Sequence, residues 1–160
     1  MQPFPHHYTI SAAAGQDGDI SLNGERLPRL ASAPPAEFEG PGDRWSPETL
    51  VVAAVADSFV LTFRAIANAS RFRWMALTCD AAGTLDRVER TTQFTAFSVH
   101  ALLDVPAGTD EAQARRLLEK AEHGCLIANS LKAASHLDAY VEVVPADREV
   151  LDHEYAGARD

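Results

Sequence analysis

The fold follows from one stretch of the chain, residues 46–69, which reads SPETLVVAAVADSFVLTFRAIANA. Ser46 suits the N-cap of a helix and Pro47 suits its first helical position. Glu48 adds a carboxylate where the helix dipole is positive. From residue 50 to residue 67 nearly every side chain is apolar on all sides of a helical wheel. The pattern therefore predicts a long central helix that is buried all round.

Polar residues interrupt this apolar stretch and argue against a membrane span. They are Asp57, Ser58, Thr62 and Arg64. Because a domain of this size rarely encloses so long a helix alone, we expect a second subunit to cover part of it. Buried polar groups need partners, so the pair Asp57-Ser58 predicts either a structural hydrogen-bond node or a functional site.

Composition limits the class of protein. The chain has 160 residues, 46% of them hydrophobic, which predicts a single domain over residues 1–160 with a substantial core. Its net charge of −9 argues against nucleic acid as a partner. Two cysteines do not form a disulfide framework. No basic segment followed by an apolar one opens the chain, so we expect no signal peptide and a cytoplasmic location.

Short strands are predicted before the central helix, over residues 6–13, 19–22 and 27–31. Asn23-Gly24 is a turn signal between the second and third, so the three strands should form a β-meander. Residues 33–44 are rich in Pro and Gly and predict a loop. Loops that precede a buried helix often carry function, although a plain surface connector fits this composition too.

After the central helix the pattern predicts strands, two helices and a final strand. The predicted strands are residues 72–81, one or two strands within 85–105 after a turn at Gly83, and residues 140–144. One helix is capped by Thr109 and ends at Gly124, and a second runs from Cys125 to Ser135. Residues 147–160 are polar and predicted to fray, with Tyr155 as the side chain suited to dock. This order predicts an α+β fold whose antiparallel sheet flanks buried helices.

Several of these segments resemble the OsmC and organic hydroperoxide resistance (Ohr) family. The similar segments are SPETL (46–50), ADSF (56–59), AAGTLD (81–86) and EKAEHGCLIANS (119–130). The resemblance extends over about residues 6–145. It implies an OsmC-like fold, an intertwined homodimer with the central helices packed inside, and sites at the subunit interface.

The resemblance also implies a chemistry and shows where this chain departs from it. Proteins of this family reduce hydroperoxides with two cysteines, through a sulfenic acid and then a disulfide that another thiol reduces. Glu48 falls on the family's glutamate and Cys125 on its second cysteine. Ser58 stands where the family has its peroxide-attacking cysteine, and Gln16 stands where it has an arginine. Because a serine hydroxyl cannot form a sulfenic acid, we expect peroxidase activity to be weak, absent or dependent on Cys125 alone.

The two cysteines leave alternatives open. Cys125 could react alone at a helix N-terminus, assisted by His123 and resolved by an outside dithiol, or it could be an inert buried thiol. Cys79 lies on the inward face of a predicted strand, which favours a small core residue over a partner for Cys125. Ser58 lacks the flanking glycines of a hydrolytic nucleophile. The six His show no metal-ligand spacing, so we expect no metal and no cofactor.

Three functions therefore remain open, and whether the chain is an enzyme stays undecided. The first is an oxidoreductase of oxidative stress response, with an organic hydroperoxide as substrate and a dithiol as reductant. The second is a non-catalytic dimeric module that binds a small apolar ligand at the subunit interface. The third is a purely structural or regulatory dimer.

Overall fold

A computed structural model describes residues 2–145, which form two compact units divided between Val51 and Val52. The elements are β1 (Ser11–Ala13), β2 (Ile20–Asn23), β3 (Leu30–Ser32), α1 (Pro47–Ala69), β4 (Ala76–Val88), β5 (Thr91–Pro106), α2 (Glu111–Gly124), α3 (Leu126–Ser130) and β6 (Ala134–Val144). A short 3-10 helix spans Ala36–Phe38. The predicted fraying of residues 147–160 and docking of Tyr155 lie outside the described residues. A single domain over the whole chain stays a prediction.

The first unit contains the predicted β-meander. Strands β1, β2 and β3 form an antiparallel sheet in that order, with Ala12 opposite Leu22 and Leu22 opposite Leu30. A turn after β2 is closed by the Leu27 N–H, which donates to the Gly24 carbonyl at 3.2 Å. Strand β1 takes in only the last three residues of the strand predicted over 6–13, because its partner β2 is itself only four residues long.

The segment between β3 and α1 is a loop whose two ends are hydrogen-bonded to each other. Ser32 and Trp45 form a parallel bridge, and the Ala33 N–H donates to the Trp45 carbonyl at 2.8 Å. Gly40 packs so closely on the backbone of Pro34 that an added Cβ would overlap the Pro34 carbonyl. Glycine is therefore required where this loop folds back on itself.

Helix α1 begins with the cap that the sequence predicts. The Thr49 N–H donates to Ser46 Oγ at 3.1 Å, and the Ser46 N–H donates to Thr49 Oγ1 at 2.8 Å. This reciprocal arrangement is a capping box, with threonine in place of the more usual glutamate. It fixes the first turn of α1 and the position of Glu48 within that turn.

Burial of α1 differs from the all-round burial that was predicted. Within the single chain one stripe is buried, formed by Val55, Ser58, Phe59, Phe63 and Ala67. On other sides Asp57 is exposed and Leu61 is 50% exposed. By length and composition α1 is long and apolar enough to cross a membrane, a test that the core helix of a soluble protein also passes.

The second unit contains a three-stranded sheet in the order β4-β5-β6. Strands β4 and β5 are antiparallel, from Ala76 opposite Asp104 to Val88 opposite Thr91. Strands β5 and β6 are parallel, so the prediction of a purely antiparallel sheet is wrong for this pair. The physical reason is that α2 and α3 together return the chain to the same end of the sheet, which is the connection a parallel pair requires.

Gly83 does not turn the chain as predicted, because it lies inside β4. A Cβ at Gly83 would meet the Phe94 ring at 2.7 Å and the Val52 side chain at 2.9 Å. The glycine therefore makes room for two apolar side chains inside a strand. The actual turn is formed by Glu89 and Arg90, which have φ angles of 48° and 72°.

The second half of the unit also corrects two predicted boundaries. Helix α2 is capped by Asp110, whose carboxylate accepts from the N–H groups of its second and third residues at 2.9 and 3.2 Å. Thr109 instead donates its hydroxyl to the Pro106 carbonyl at 2.7 Å. Helix α3 ends at Ser130, five residues before the predicted end at Ser135, because residues from Ala134 onward pair with β5.

Candidate functional site

The structure brings Ser58 and Cys125 together in the second unit. Cys125 Sγ lies 3.3 Å from Ser58 Oγ and donates a hydrogen bond to it. Ser58 is on the buried stripe of α1, and Cys125 sits between α2 and α3. Both are buried, with Cys125 only 2% exposed. Asp57, the other half of the polar pair on the helix, is exposed and takes no part in this contact.

Backbone hydrogen bonds fix Cys125 where the two short helices meet. Its N–H donates to the Glu122 carbonyl at 3.1 Å, and its carbonyl accepts from the Asn129 N–H at 2.9 Å. The Asn129 side chain donates in turn to the His123 carbonyl at 2.9 Å. Cys125 has extended backbone angles (φ −66°, ψ 101°), which end α2 and start α3. The thiol is therefore held in one place rather than carried on a loose loop.

The contact has the character of a structural hydrogen bond. The Cys125 thiol donates to the Ser58 hydroxyl, with the Val55 carbonyl a further acceptor at 4.0 Å. Nucleophilic attack requires a thiolate that a substrate can reach. The Cys125 thiol is 2% exposed and hydrogen-bonded to Ser58, so in this chain a substrate cannot reach it. The pair as it stands is a satisfied polar node within the core.

His123 is not placed to activate the Cys125 thiol. Its ring Nδ1 lies 2.7 Å from the Glu119 carbonyl oxygen, one turn earlier in α2. The side chain is exposed, whereas Cys125 is buried. His123 therefore stabilises the C-terminal turn of its own helix, where a histidine is favourable.

Cys79 is a half-buried thiol on a sheet strand. It lies in β4 between two exposed neighbours, as expected for a residue on the inward face of the strand. Burial, with a smaller contribution from the negative charge of Asp80, raises the pKa of the Cys79 thiol to about 11. A thiol with this pKa stays protonated at neutral pH and is a poor nucleophile. Both cysteines are free.

The other two residues of the predicted site lie in the first unit. Gln16 is exposed in the bend between β1 and β2, close to Gly18 with its φ of 90°. Glu48 lies in the first turn of α1. Its Oε2 atom is buried and has no hydrogen-bond partner among residues 2–145. The Gln16 amide therefore does not bond this carboxylate oxygen.

Glu48 belongs to the wall of a cavity that sequence reasoning missed. The cavity has a volume of about 530 Å³ and lies wholly within the first unit. Its walls are mostly apolar and include Ile20, Leu22, Phe38 and Leu50. Two signals in the sequence pointed toward it. They are the alternating apolar residues of β2 and the Pro-rich loop before α1.

Metal ligation finds no support in the part of the chain that the structure describes. Among residues 2–145 no group of three or more His, Cys, Asp and Glu side chains could hold a metal ion. One cluster of His and Asp side chains lies on the exposed face of the β5–β6 pair. There Asp138 places its two carboxylate oxygens 3.3 Å from His100 Nδ1 and 3.3 Å from His136 Nε2.

Comparison with known proteins relates the chain to one family. A family model described as OsmC-like protein matches residues 40–139. No curated protein sequence matches the chain. Among solved structures, an OsmC-like protein of unknown function from Vibrio cholerae has a TM-score of 0.72 and 15% identity, covering 88% of this chain and 100% of that one.

Two further structures are organic hydroperoxide resistance proteins. The one from Legionella pneumophila has a TM-score of 0.68 and 23% identity, covering 88% of this chain and 100% of that one. The one from Elizabethkingia anophelis has a TM-score of 0.69 and 19% identity, with the same coverage of 88% and 100%. At these identities the likeness establishes the fold, which is α+β with two sheets and few helices.

Proposed function

The chain belongs to the OsmC-like family, and from that premise we propose that it has lost the two-cysteine reduction of hydroperoxides and instead binds a small apolar ligand. The observation that carries this proposal is the contact between Ser58 and Cys125. A hydroxyl and a thiol, 3.3 Å apart, occupy the positions where the resemblance implies two thiols.

The chemistry of these two atoms explains the loss. A two-cysteine peroxidase needs one thiolate to attack the peroxide oxygen and a second thiol to condense with the resulting sulfenic acid. A serine hydroxyl can be neither oxidised to a sulfenic acid nor joined in a disulfide. The remaining thiol, Cys125, is 2% exposed and donates a hydrogen bond to Ser58. Gln16 also supplies no positive charge to favour a thiolate or to bind a peroxide.

The cavity of the first unit supports the binding half of the proposal. Small-molecule sites are typically concave, mostly apolar and 300–1,000 Å³ in volume. A cavity of about 530 Å³ with Leu22, Phe38 and Leu50 in its wall meets that description. Glu48 and Ser32 provide the few polar groups that could orient a ligand. The proposal also places the protein in the cytoplasm, and a binding protein of this kind needs no dithiol reductant.

The open side of α1 supports a homodimer as part of the same proposal. Leu61 is half exposed on a helix that is mostly apolar, and covering it would bury apolar surface favourably. An obligate pair buries more than about 2,000 Å² in total. Sedimentation at micromolar concentration should report twice the chain mass. A stable species with the mass of one chain would refute the dimer.

Peroxide consumption tests the loss of chemistry. Wild-type protein with cumene hydroperoxide and dithiothreitol should turn over no faster than Cys125→Ser. Oxidation of Ser58→Cys should form a disulfide with Cys125, since the two side-chain atoms are already in contact. Adding Gln16→Arg should then raise turnover, because a guanidinium favours the thiolate.

Two results would contradict this account. Fast turnover by the wild type that Cys125→Ser abolishes would make Cys125 the attacking residue, in a single-cysteine peroxidase. Cys79→Ser is the matched control, because it removes the other thiol of the chain. If Cys125→Ser and Cys79→Ser instead lose equal shares of the peroxide turnover, either thiol reacts with peroxide and neither forms a specific active site.

A further inference from the structure

Positive charge is concentrated around the C-terminal end of helix α1. Residues 58–79 contain Arg64, Arg71 and Arg73 and form the longest stretch of the chain without an acidic residue, although the net charge of the chain is −9. All three arginines are exposed. The ion pairs found among residues 2–145 are made by other residues. The charge at this end of α1 is therefore available to an anionic group.

Arg71 stands at a position that favours glycine. The Phe72 N–H donates to the Ala67 carbonyl at 2.9 Å, and the Arg71 N–H donates to the Asn68 carbonyl at 3.1 Å. These two bonds form a Schellman motif, in which the residue just beyond the helix is left-handed and usually glycine. Arg71 adopts that conformation with a φ of 51°, which is less favourable for a residue with a Cβ. An arginine held in such backbone points to a role for its side chain.

The strand register brings the end of β6 to the same place. Ala76 at the start of β4 lies opposite Asp104 of β5, and Asp104 lies opposite Glu142 of β6. The chain therefore leaves β6 at Val144 on the side of the sheet where Arg71 and Arg73, the arginine pair, precede β4. Two strand spacings, about 10 Å, separate β4 from β6. Three extended residues span about the same distance.

The residues that follow carry the opposite charge. Residues 147–160, the acidic segment, contain Asp147, Glu149, Asp152, Glu154 and Asp160 against Arg148 and Arg159. They lie outside the described residues, and their composition alone predicts fraying. Asp147 is the third residue after Val144, so its carboxylate can reach across the end of the sheet. Because the segment is joined to the surface, its effective concentration is on the order of millimolar, which lets weak ion pairs form.

We propose that the acidic segment binds the arginine pair, with the carboxylates of Asp147 and Glu149 accepting hydrogen bonds from the guanidinium groups of Arg71 and Arg73. The planar guanidinium matches a carboxylate in both shape and charge. This interaction is independent of ligand binding in the cavity, because both of its sides belong to the second unit. It gives the left-handed arginine a partner.

Backbone order parameters from nuclear magnetic resonance of the full chain test the contact. The reference is a synthetic peptide of residues 147–160, free in solution. In the full chain at low salt we expect order parameters above about 0.6 for residues 147–150, the value below which backbone counts as flexible. In about 0.5 M NaCl they should fall to those of the peptide, because salt screens exposed ion pairs.

Variants locate the contact at the arginine pair. Arg71→Gly removes the guanidinium and suits the left-handed backbone, so the end of α1 stays intact. Combined with Arg73→Gln, it should lower the order parameters of residues 147–150 to the peptide values. Arg90→Gly is the matched control, because Arg90 is an exposed, left-handed arginine at the other end of β4. It should leave them unchanged.

A second pair of changes removes the other side of the contact. Asp147→Asn with Glu149→Gln leaves residues 2–145 intact and should have the same effect as the loss of both arginines. Order that persists without the arginines or without these carboxylates would overturn the proposal. Peptide-like order parameters in the wild type would do so too. If hexaglutamate then shifted the resonances of Arg71 and Arg73, the surface would bind an acidic partner other than this segment.

Discussion

Two polar side chains of helix α1, Ser58 and Glu48, differ in whether their buried atoms have hydrogen-bond partners among residues 2–145. Ser58, in the second unit, accepts a hydrogen bond from Cys125 and sits among fully buried side chains. Glu48, in the first unit, lines a cavity of about 530 Å³ and has a buried oxygen with no partner among residues 2–145. The difference separates a polar group that completes a core from one whose buried oxygen is unpaired within residues 2–145. It also shifts attention from the cysteine position, where the resemblance places the chemistry, to the carboxylate.

Two phenylalanines provide the largest test of this comparison. Phe63 is fully buried in the second unit, and its ring lies edge-on to the Trp74 ring with the two ring centroids 5.4 Å apart. Phe38, by contrast, lines the cavity and is 52% exposed. Phe63→Ala should lower the free energy of unfolding by about 3–5 kcal/mol, because it leaves a hole in a close-packed core. Phe38→Ala should cost less than about 1 kcal/mol.

Urea titration of the two variants measures both free energies of unfolding. The comparison requires that the slope of this free energy against urea concentration is the same in each variant as in the wild type. Similar large losses for Phe38→Ala and Phe63→Ala would show that the cavity is filled or closed in solution. That result would remove the distinction between an open first unit and a packed second one.

The second test concerns the thiols of the second unit. With the Cys79 pKa raised from its ordinary value of 9.0 to about 11, the thiolate fraction at pH 8 falls about a hundredfold. Cys79 should therefore react with a thiol reagent far more slowly than a free cysteine, and its rate should rise as the pH is increased toward 11.

Single-thiol variants assign the rates. Cys125→Ala leaves Cys79 as the only thiol and reports its rate alone, while Cys79→Ala reports the rate of Cys125. Rapid reaction of Cys125 at pH 8 in the folded protein would mean that the Ser58–Cys125 contact opens readily. The core would then be less closed than its burial indicates.

Parts of this picture were readable from the sequence because they depend on local chemistry. The apolar run from residue 50 to 67 and the Ser46 cap predicted α1 almost to the residue. The resemblance placed Ser58 and Cys125 at paired positions, and they are in contact. Both cases depend on signals confined to short segments or on a family pattern.

Other parts depend on tertiary packing and were out of reach. Gly83 looked like a turn, because glycine in a sequence does not reveal that Phe94 and Val52 occupy the space of its missing side chain. The parallel pairing of β6 depends on where α2 and α3 return the chain. The unpaired oxygen of Glu48 depends on which groups fail to reach it, and no sequence pattern records an absent contact.

The smallest test is also the sharpest, because the two polar positions should respond with opposite signs. Ser58→Ala removes the acceptor of the Cys125 thiol and should lower the free energy of unfolding by about 1 kcal/mol. Glu48→Met removes a buried oxygen that has no partner, a burden of about 1–3 kcal/mol, and gives up a helix-dipole interaction of about 0.3–1 kcal/mol. The net change should be a stabilisation of about 1 kcal/mol in the absence of ligand.

Paired urea titrations on protein freed of bound small molecules measure both changes. Destabilisation by Glu48→Met in the unliganded protein would mean that Oε2 has found a partner in solution. The contrast between a completed polar pair at Ser58 and an incomplete one at Glu48 would then be lost.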